Sequence, residues 1–165
     1  MEALLTPREV KAVINNAGAF KAAGPDRIPN AALQHALPVI LSYLILLFND
    51  YLRLGYYPEH FRTSTIVVLR KPRKPDYSNP KSYRPIALLS TIGKALESVV
   101  ASRLSYLVEA YDLLPDNHVS GRRGRSTEHA LHILVKQAHA AWRAGHHVAS
   151  LLSLDISSAF DNIAF

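Results

Sequence analysis

The stretch from Ala31 to Leu54 constrains the fold most, because it carries apolar residues almost all the way round a helix. A helix of that kind needs neighbours on most of its sides, so it belongs in the interior and the remaining chain must supply a core around it. Pro38 marks a break or restart near its beginning, Gly55 closes it, and Tyr56-Tyr57-Pro58 lead away. Its longest apolar run, Leu37 to Leu47, is interrupted by Pro38, Ser42 and Tyr43, which reads as well short of a membrane span.

The chain has 165 residues, one domain's worth, and 48% of them are hydrophobic, enough for a packed core. It contains no cysteine, which excludes disulfides, thiolate catalysis and Cys-type zinc sites. A formal charge of +6 favours an anionic partner such as a nucleic acid or a nucleotide. The start, M-E-A-L-L-T-P-R-E, lacks the basic and apolar blocks of a secretion signal, so an intracellular, membrane-free protein is expected. Thr6-Pro7-Arg8-Glu9 has the form of a capping box, and Val10, Val13, Ile14 and Ala17 follow at helical spacing, predicting a helix from Pro7 to about Phe20. It ends in K-A-A-G-P-D-R-I-P-N, where Gly24, Pro25 and Pro29 forbid continuation.

Thr63 to Leu69 and Ser82 to Leu89 read as two strands, the second interrupted by Pro85, joined by a polar, proline-rich turn. The hairpin concentrates Arg70, Lys71, Arg73, Lys74, Lys81 and Arg84 within fifteen residues. Tip lysines serve solubility as readily as binding, whereas Arg84 sits inside an apolar strand and needs a carboxylate or phosphate partner. Ser90 caps a helix to about Ala110 with a buried stripe of Ile92, Leu96, Val99, Val100, Leu104, Leu107 and Val108. The turn S-G-R-R-G-R then delivers Arg122, Arg123 and Arg125 to the start of a helix at Ser126 or Thr127, an arrangement that suits an anion and is also common in plain surface turns. That helix runs to Ala144 and buries Leu131, Leu134, Val135, Ala138 and Trp142. His129 and His132 share a helix face but have no third ligand at suggestive spacing, so they read as structural.

The last sixteen residues, S-L-L-S-L-D-I-S-S-A-F-D-N-I-A-F, hold the most chemistry. An apolar run, Val148 to Leu154, reads as a buried strand that delivers Asp155 to a sheet edge. A carboxylate there suits Mg²⁺, which takes oxygen ligands, and equally suits a cap on the short turn that follows. The P-loop, the Rossmann fingerprint, the G-x-S-x-G elbow and internal repeats are all absent.

Seven blocks occur in order: K-A-A-G-P-D-R-I-P-N, L-G-Y-Y-P, the basic hairpin K-P-R-K-P-D-Y, S-Y-R-P-I-A-L-L-S, I-G-K-A-L-E, S-G-R-R-G-R-S-T and S-L-D-I-S-S-A-F-D-N-I. Together they resemble the reverse transcriptase domain of non-LTR (LINE-type) retrotransposons, over nearly the whole chain from Lys21. The resemblance implies an α+β fold made of the fingers and the beginning of the palm of a right-hand polymerase, incomplete. Residues 1–20 would be a lead-in helix, 21–147 a fingers-like region with the hairpin at 63–89, and 148–165 the first palm strand and motif. It further implies that Asp155 and the carbonyl of Ile156 bind metal, and that Phe160 stacks under the incoming sugar and excludes a 2′-hydroxyl. Arg84 would contact the triphosphate, with Lys71 or Lys74 as its companion, and Arg122 and Arg125 would meet template or primer backbone. Mg²⁺ would be the cofactor, and RNA template, DNA primer and deoxynucleoside triphosphates the partners, with two-metal phosphoryl transfer as the chemistry and the nucleus as the site of action.

The departures are specific. Val119-Ser120 stand where relatives carry an aromatic before the Gly-Arg turn, which weakens strand stacking, and S-S-A-F-D replaces the commoner S-G-A-F-D. The family's second catalytic carboxylate pair, in an aromatic-x-Asp-Asp hairpin, has no counterpart after Asp155, and Asp161 sits in the wrong block to substitute. The expectation is therefore a partial reverse transcriptase that does not polymerise alone and relies on the missing palm and thumb or on a partner chain. The alternatives are a non-catalytic nucleic-acid-binding remnant and the product of a decayed open reading frame.

Overall fold

The apolar segment forms α2, Asn30–Leu54, and the elements before and after it fold back to cover one of its sides. A computed structural model describes residues 4–145 and 148–155. Elements follow in the order α1 (Pro7–Asn16), α2, the four-residue α3 (Glu59–Arg62), β1 (Ser64–Arg70), β2 (Tyr83–Leu89), α4 (Thr91–Ala110) and α5 (Thr127–Arg143). The mixture of helices with one small antiparallel sheet is α+β. The chain divides into two units, Met1–Leu107 and Val108–Phe165.

In the first unit the core gathers Val10 and Ile14 of α1, Leu33, Leu37, Leu44 and Phe48 of α2, Phe61 of α3, and Ala95, Leu96 and Val99 of α4. The capping box forms as expected, Thr6 Oγ1 accepting from Glu9 N and the Glu9 carboxylate accepting from Thr6 N. Glu9 is used twice, because Arg103 of α4 also donates to it from Nε at 2.8 Å and from Nη2 at 3.3 Å. That ion pair ties the first helix to the fourth.

Three expectations are corrected here. Helix α1 stops at Asn16, short of Phe20, because the Gln34 amide of α2 donates to the carbonyls of Ile14, Asn15 and Ala17 and so satisfies the open end. Helix α2 neither breaks nor restarts at Pro38, which lies exposed in the third turn, next to the buried Leu37. Nor is α2 interior on all sides, since Val39, Tyr43, Leu46 and Leu54 are exposed. At 25 residues it is long and apolar enough to cross a membrane by length and composition, although its inner face is committed to the core.

The loop after α1 has a packing role that its turn chemistry alone does not reveal. Gly24 is buried so closely against the end of β2 that a Cβ would lie 2.3 Å from the carbonyl oxygen of Leu89. Two residues on, the Asp26 carboxylate accepts from Ile28 N at 3.2 Å and from Thr91 N at 3.3 Å, while Thr91 Oγ1 donates to the carbonyl of Ile28 at 2.5 Å. Gly-Pro-Asp therefore locks the junction between β2 and α4, and Ser90 and Thr91 are buried there.

The second unit leaves much of its apolar surface uncovered. No residue of α5 is buried, and Leu131 and Trp142 are 61% and 54% exposed, so the anticipated burial of this stripe does not occur. In the first unit, Leu104 and Leu107 in the second half of α4 are exposed as well, leaving the buried part of that helix at its start. The strand expected over Val148 to Leu154 is likewise not formed: these residues adopt no regular structure and Leu154 is 82% exposed. An apolar strand without a ladder partner has nothing to satisfy its backbone groups except water.

Candidate nucleic-acid interface

The hairpin presents its cations on a defined register. Strand β1 pairs antiparallel with β2 so that Leu69 faces Arg84 and Arg70 faces Tyr83. Residues paired across a ladder share a face and neighbours alternate, so Val67, Leu69, Ile86 and Arg84 lie on one side while Val68, Arg70, Tyr83 and Pro85 lie on the other. The ladder continues one step, Lys71 N donating to Ser82 O at 2.8 Å, which puts Lys71 on the Arg84 side, diagonal to it. Pro85 does not interrupt β2, since a two-stranded ribbon leaves each strand one free edge.

The tip is built by its own side chains. Asp76 Oδ1 accepts from Ser78 N at 2.8 Å, Ser82 Oγ donates to the Asp76 carbonyl, and Tyr77 Oη donates to the Lys71 carbonyl at 3.0 Å. Tyr83 Oη donates to the Tyr77 carbonyl at 2.9 Å, and the Arg70 guanidinium stacks over the Tyr77 ring at 5.3 Å. The hydrogen bonds from Ser78 hold the Asp76 carboxyl below its usual range.

The predicted cations differ in availability. Arg84 is exposed and, among the described residues, has no carboxylate partner, so the strand arginine is free for an external anion. Lys71 is half-buried and its Nζ donates to the Lys81 carbonyl at 2.8 Å; Lys74 is exposed at the tip. In the second unit Arg122 departs from expectation. Its side chain is 6% exposed and forks onto Glu109, Nε to Oε1 at 2.8 Å and Nη2 to Oε2 at 2.7 Å, with Nη1 on the Pro115 carbonyl at 3.1 Å. That guanidinium is already spent, and it holds the Glu109 carboxyl below the usual carboxylate range. Arg125 is exposed, as is Arg123, which the sequence reading counted in the cluster without giving it a binding role.

Asp155 is exposed and lies on no strand. The carbonyl of Ile156 and the ring of Phe160 lie outside the described residues. Among the described residues no three His, Cys, Asp or Glu side chains gather as a metal site. Mg²⁺ held for catalysis needs several oxygen ligands in fixed geometry, of which Asp155 would be one.

A basic hairpin with an unneutralised strand arginine, standing on a helical base, defines an α+β protein with an exposed cationic face. Residues 70–165 match the family described as "Reverse transcriptase (RNA-dependent DNA polymerase)". The chain belongs to that family, in its non-LTR retrotransposon branch. It is 37% identical over 157 residues to a probable RNA-directed DNA polymerase from transposon X-element of Drosophila melanogaster, covering 95% of this chain and 17% of the relative. It is 35% identical over 156 residues to the corresponding protein from transposon BS of the same fly, covering 94% of this chain and 17% of the relative. The RNA-directed DNA polymerase from mobile element jockey of Drosophila funebris is 33% identical over 159 residues, covering 96% of this chain and 17% of the relative. The chain thus spans about one sixth of the length of the curated relatives it matches.

Proposed function

We propose that this chain is the fingers and first palm segment of an RNA-directed DNA polymerase, and that its hairpin grips the triphosphate of an incoming deoxynucleotide. The observation that carries the reading is the register: Lys71 and Arg84 lie diagonally on one face of the ribbon, and neither is neutralised by a carboxylate among the described residues. A rigid guanidinium fork and a point-charge ammonium on one face suit a polyphosphate. The register favours Lys71 over Lys74 as companion to Arg84. Reaching a phosphate requires only that Lys71 Nζ leave the Lys81 carbonyl, a neutral acceptor that an anion replaces readily.

In this reading Asp155 supplies one carboxylate toward a Mg²⁺ site whose other ligands are not among the described residues, and the bound ions would neutralise charge developing on phosphate. Phe160 would sit beneath the sugar. The 165-residue chain by itself does not extend a primer, because one carboxylate does not hold two ions in line. Its own activity is binding of RNA template, DNA primer and nucleotide, in an intracellular, nuclear setting, and the exposed cations favour binding to these anions by the chain in isolation.

The test is a chemical-shift titration of the chain with a deoxynucleoside triphosphate, alongside Mg²⁺-dependent primer extension on an RNA template. Arg84→Gln and Lys71→Gln should each weaken triphosphate binding several-fold while Lys74→Gln changes it less than twofold. Equal losses at Lys71 and Lys74 would overturn the face assignment, and primer extension by the purified chain would overturn the claim of inactivity.

A further inference from the structure

Three nitrogens of Arg122 are engaged, two on Glu109 in the last turn of α4 and one on the Pro115 carbonyl. The same carbonyl accepts from His118 N at 2.9 Å, so Arg122 closes onto a turn that is already hydrogen-bonded. Gly121 and Gly124 flank the arginines with φ of +70° and +73°, backbone that a side chain would strain, and Arg125 N donates to Arg122 O at 3.3 Å across the turn. The loop between α4 and α5 is therefore pinned at Arg122 and turned outward at the residues that follow. Arg123 and Arg125 stand either side of Gly124, exposed, with no side-chain hydrogen bond or ion pair to a described residue. A phosphate approaching Arg122 has to displace a carboxylate already held by two parallel charge-assisted bonds, whereas at Arg123 or Arg125 it displaces only water.

We infer that Arg122 is a positioning residue, and that Arg123 with Arg125 is the pair that meets the phosphodiester backbone. The second half of this inference rests on the nucleic-acid reading above; the first half rests on the clamp alone. The carboxyl of Glu109, drawn down first by Arg122 and further by the charge of Arg125, stays ionised through the working pH range, so the clamp persists.

The experiment uses the full chain with an RNA–DNA duplex and measures the dependence of the binding constant on salt, together with protease cleavage of the loop at 111–126. Arg123→Gln and Arg125→Gln should each lower the salt slope by about one, as for the loss of one phosphate contact, and leave loop cleavage unchanged. Arg122→Gln and Glu109→Gln should open the loop to protease, and the reversed pair Glu109→Arg with Arg122→Glu should restore protection. A salt slope lowered by Arg122→Gln with the loop still protected would overturn the positioning role. Failure of the reversed pair to restore protection would also count against the clamp. If the unaltered chain shows no salt-dependent binding to the duplex, the nucleic-acid reading and the Arg123–Arg125 interface fall together, and the reversed pair still decides the clamp.

Discussion

Replacing Gly24 by alanine should be among the most damaging single-methyl changes in this chain. A Cβ at that position would stand 2.3 Å from the Leu89 carbonyl oxygen, 2.4 Å from its carbonyl carbon and 2.7 Å from Ser90 N. All three atoms are backbone, so no rotamer change relieves the overlap, and the loop and the β2–α4 junction have to separate by about an ångström. Overpacking of this kind costs about 1–3 kcal/mol. Separation also strains the bonds from Thr91 N to Asp26 and from Thr91 Oγ1 to Ile28 O, each worth about 1 kcal/mol. The expected loss is thus roughly 3 kcal/mol or more, or a melting temperature lowered by about 6–12 °C for a chain of this size. Urea and thermal unfolding followed by circular dichroism measure it. Gly18→Ala is the control, because its Cβ would meet only the flexible Lys21 side chain, at 3.1 Å, and should shift stability by no more than about 0.5 kcal/mol. A Gly24→Ala protein within about 1 kcal/mol of the unaltered chain would refute the argument that this glycine is held by contact.

Other outcomes follow from the same geometry. The Arg103 guanidinium, as the largest influence, lowers the Glu9 carboxyl from 4.5 to about 2, so the stability from this pair is complete above pH 4.5 and is lost as pH falls toward 2. Because both side chains are about one-third exposed, solvent screening reduces the contribution to about 1 kcal/mol; Glu9→Gln should flatten the acid limb of the stability–pH curve by that amount, and an unchanged limb would contradict it. Phe48 is fully buried, and Phe48→Ala should cost about 3–5 kcal/mol in denaturant titration. Burial and then the Glu97 carboxylate push the Tyr57 phenol up, so one tyrosine should fail to ionise with the rest in an ultraviolet alkaline titration, and Tyr57→Phe should abolish that lag. Trp142 is the single tryptophan and is half exposed, so its emission should resemble solvated indole and be quenched by iodide, whereas a blue-shifted, protected signal would mean α5 has found a cover.

Local chemistry was legible where it is self-contained. The Thr6–Glu9 capping box, the two strands, the Ser126 cap and the starts of α2, α4 and α5 lie within a residue or two of expectation because each depends on a few adjacent side chains. Periodicity misled where it assumed a neighbour. The apolar stripe of α5 and the run Val148 to Leu154 have the composition of buried elements, yet burial depends on what packs against them. At the site, the cations were visible and their states were not. Nothing in the spacing of thirteen residues between Glu109 and Arg122 announces a fork, so Arg122 reads from sequence like its neighbours Arg123 and Arg125. The face that Lys71 shares with Arg84 likewise needed a register, since spacing alone does not say which residue of β1 stands opposite Arg84.

The contacts that complete the first unit also set a timetable for its synthesis. Leu33, Leu37, Leu44 and Phe48 share their core with Leu96 and Val99, and Asp26 and Glu9 bond partners 65 and 94 residues further along. Translation proceeds at about 5–20 residues per second, so α2 emerges several seconds before the helix that finishes its burial. During that interval an unusually apolar helix waits for the partner that covers its inner face, and transiently exposed apolar surface of this kind is what makes a nascent chain prone to aggregate.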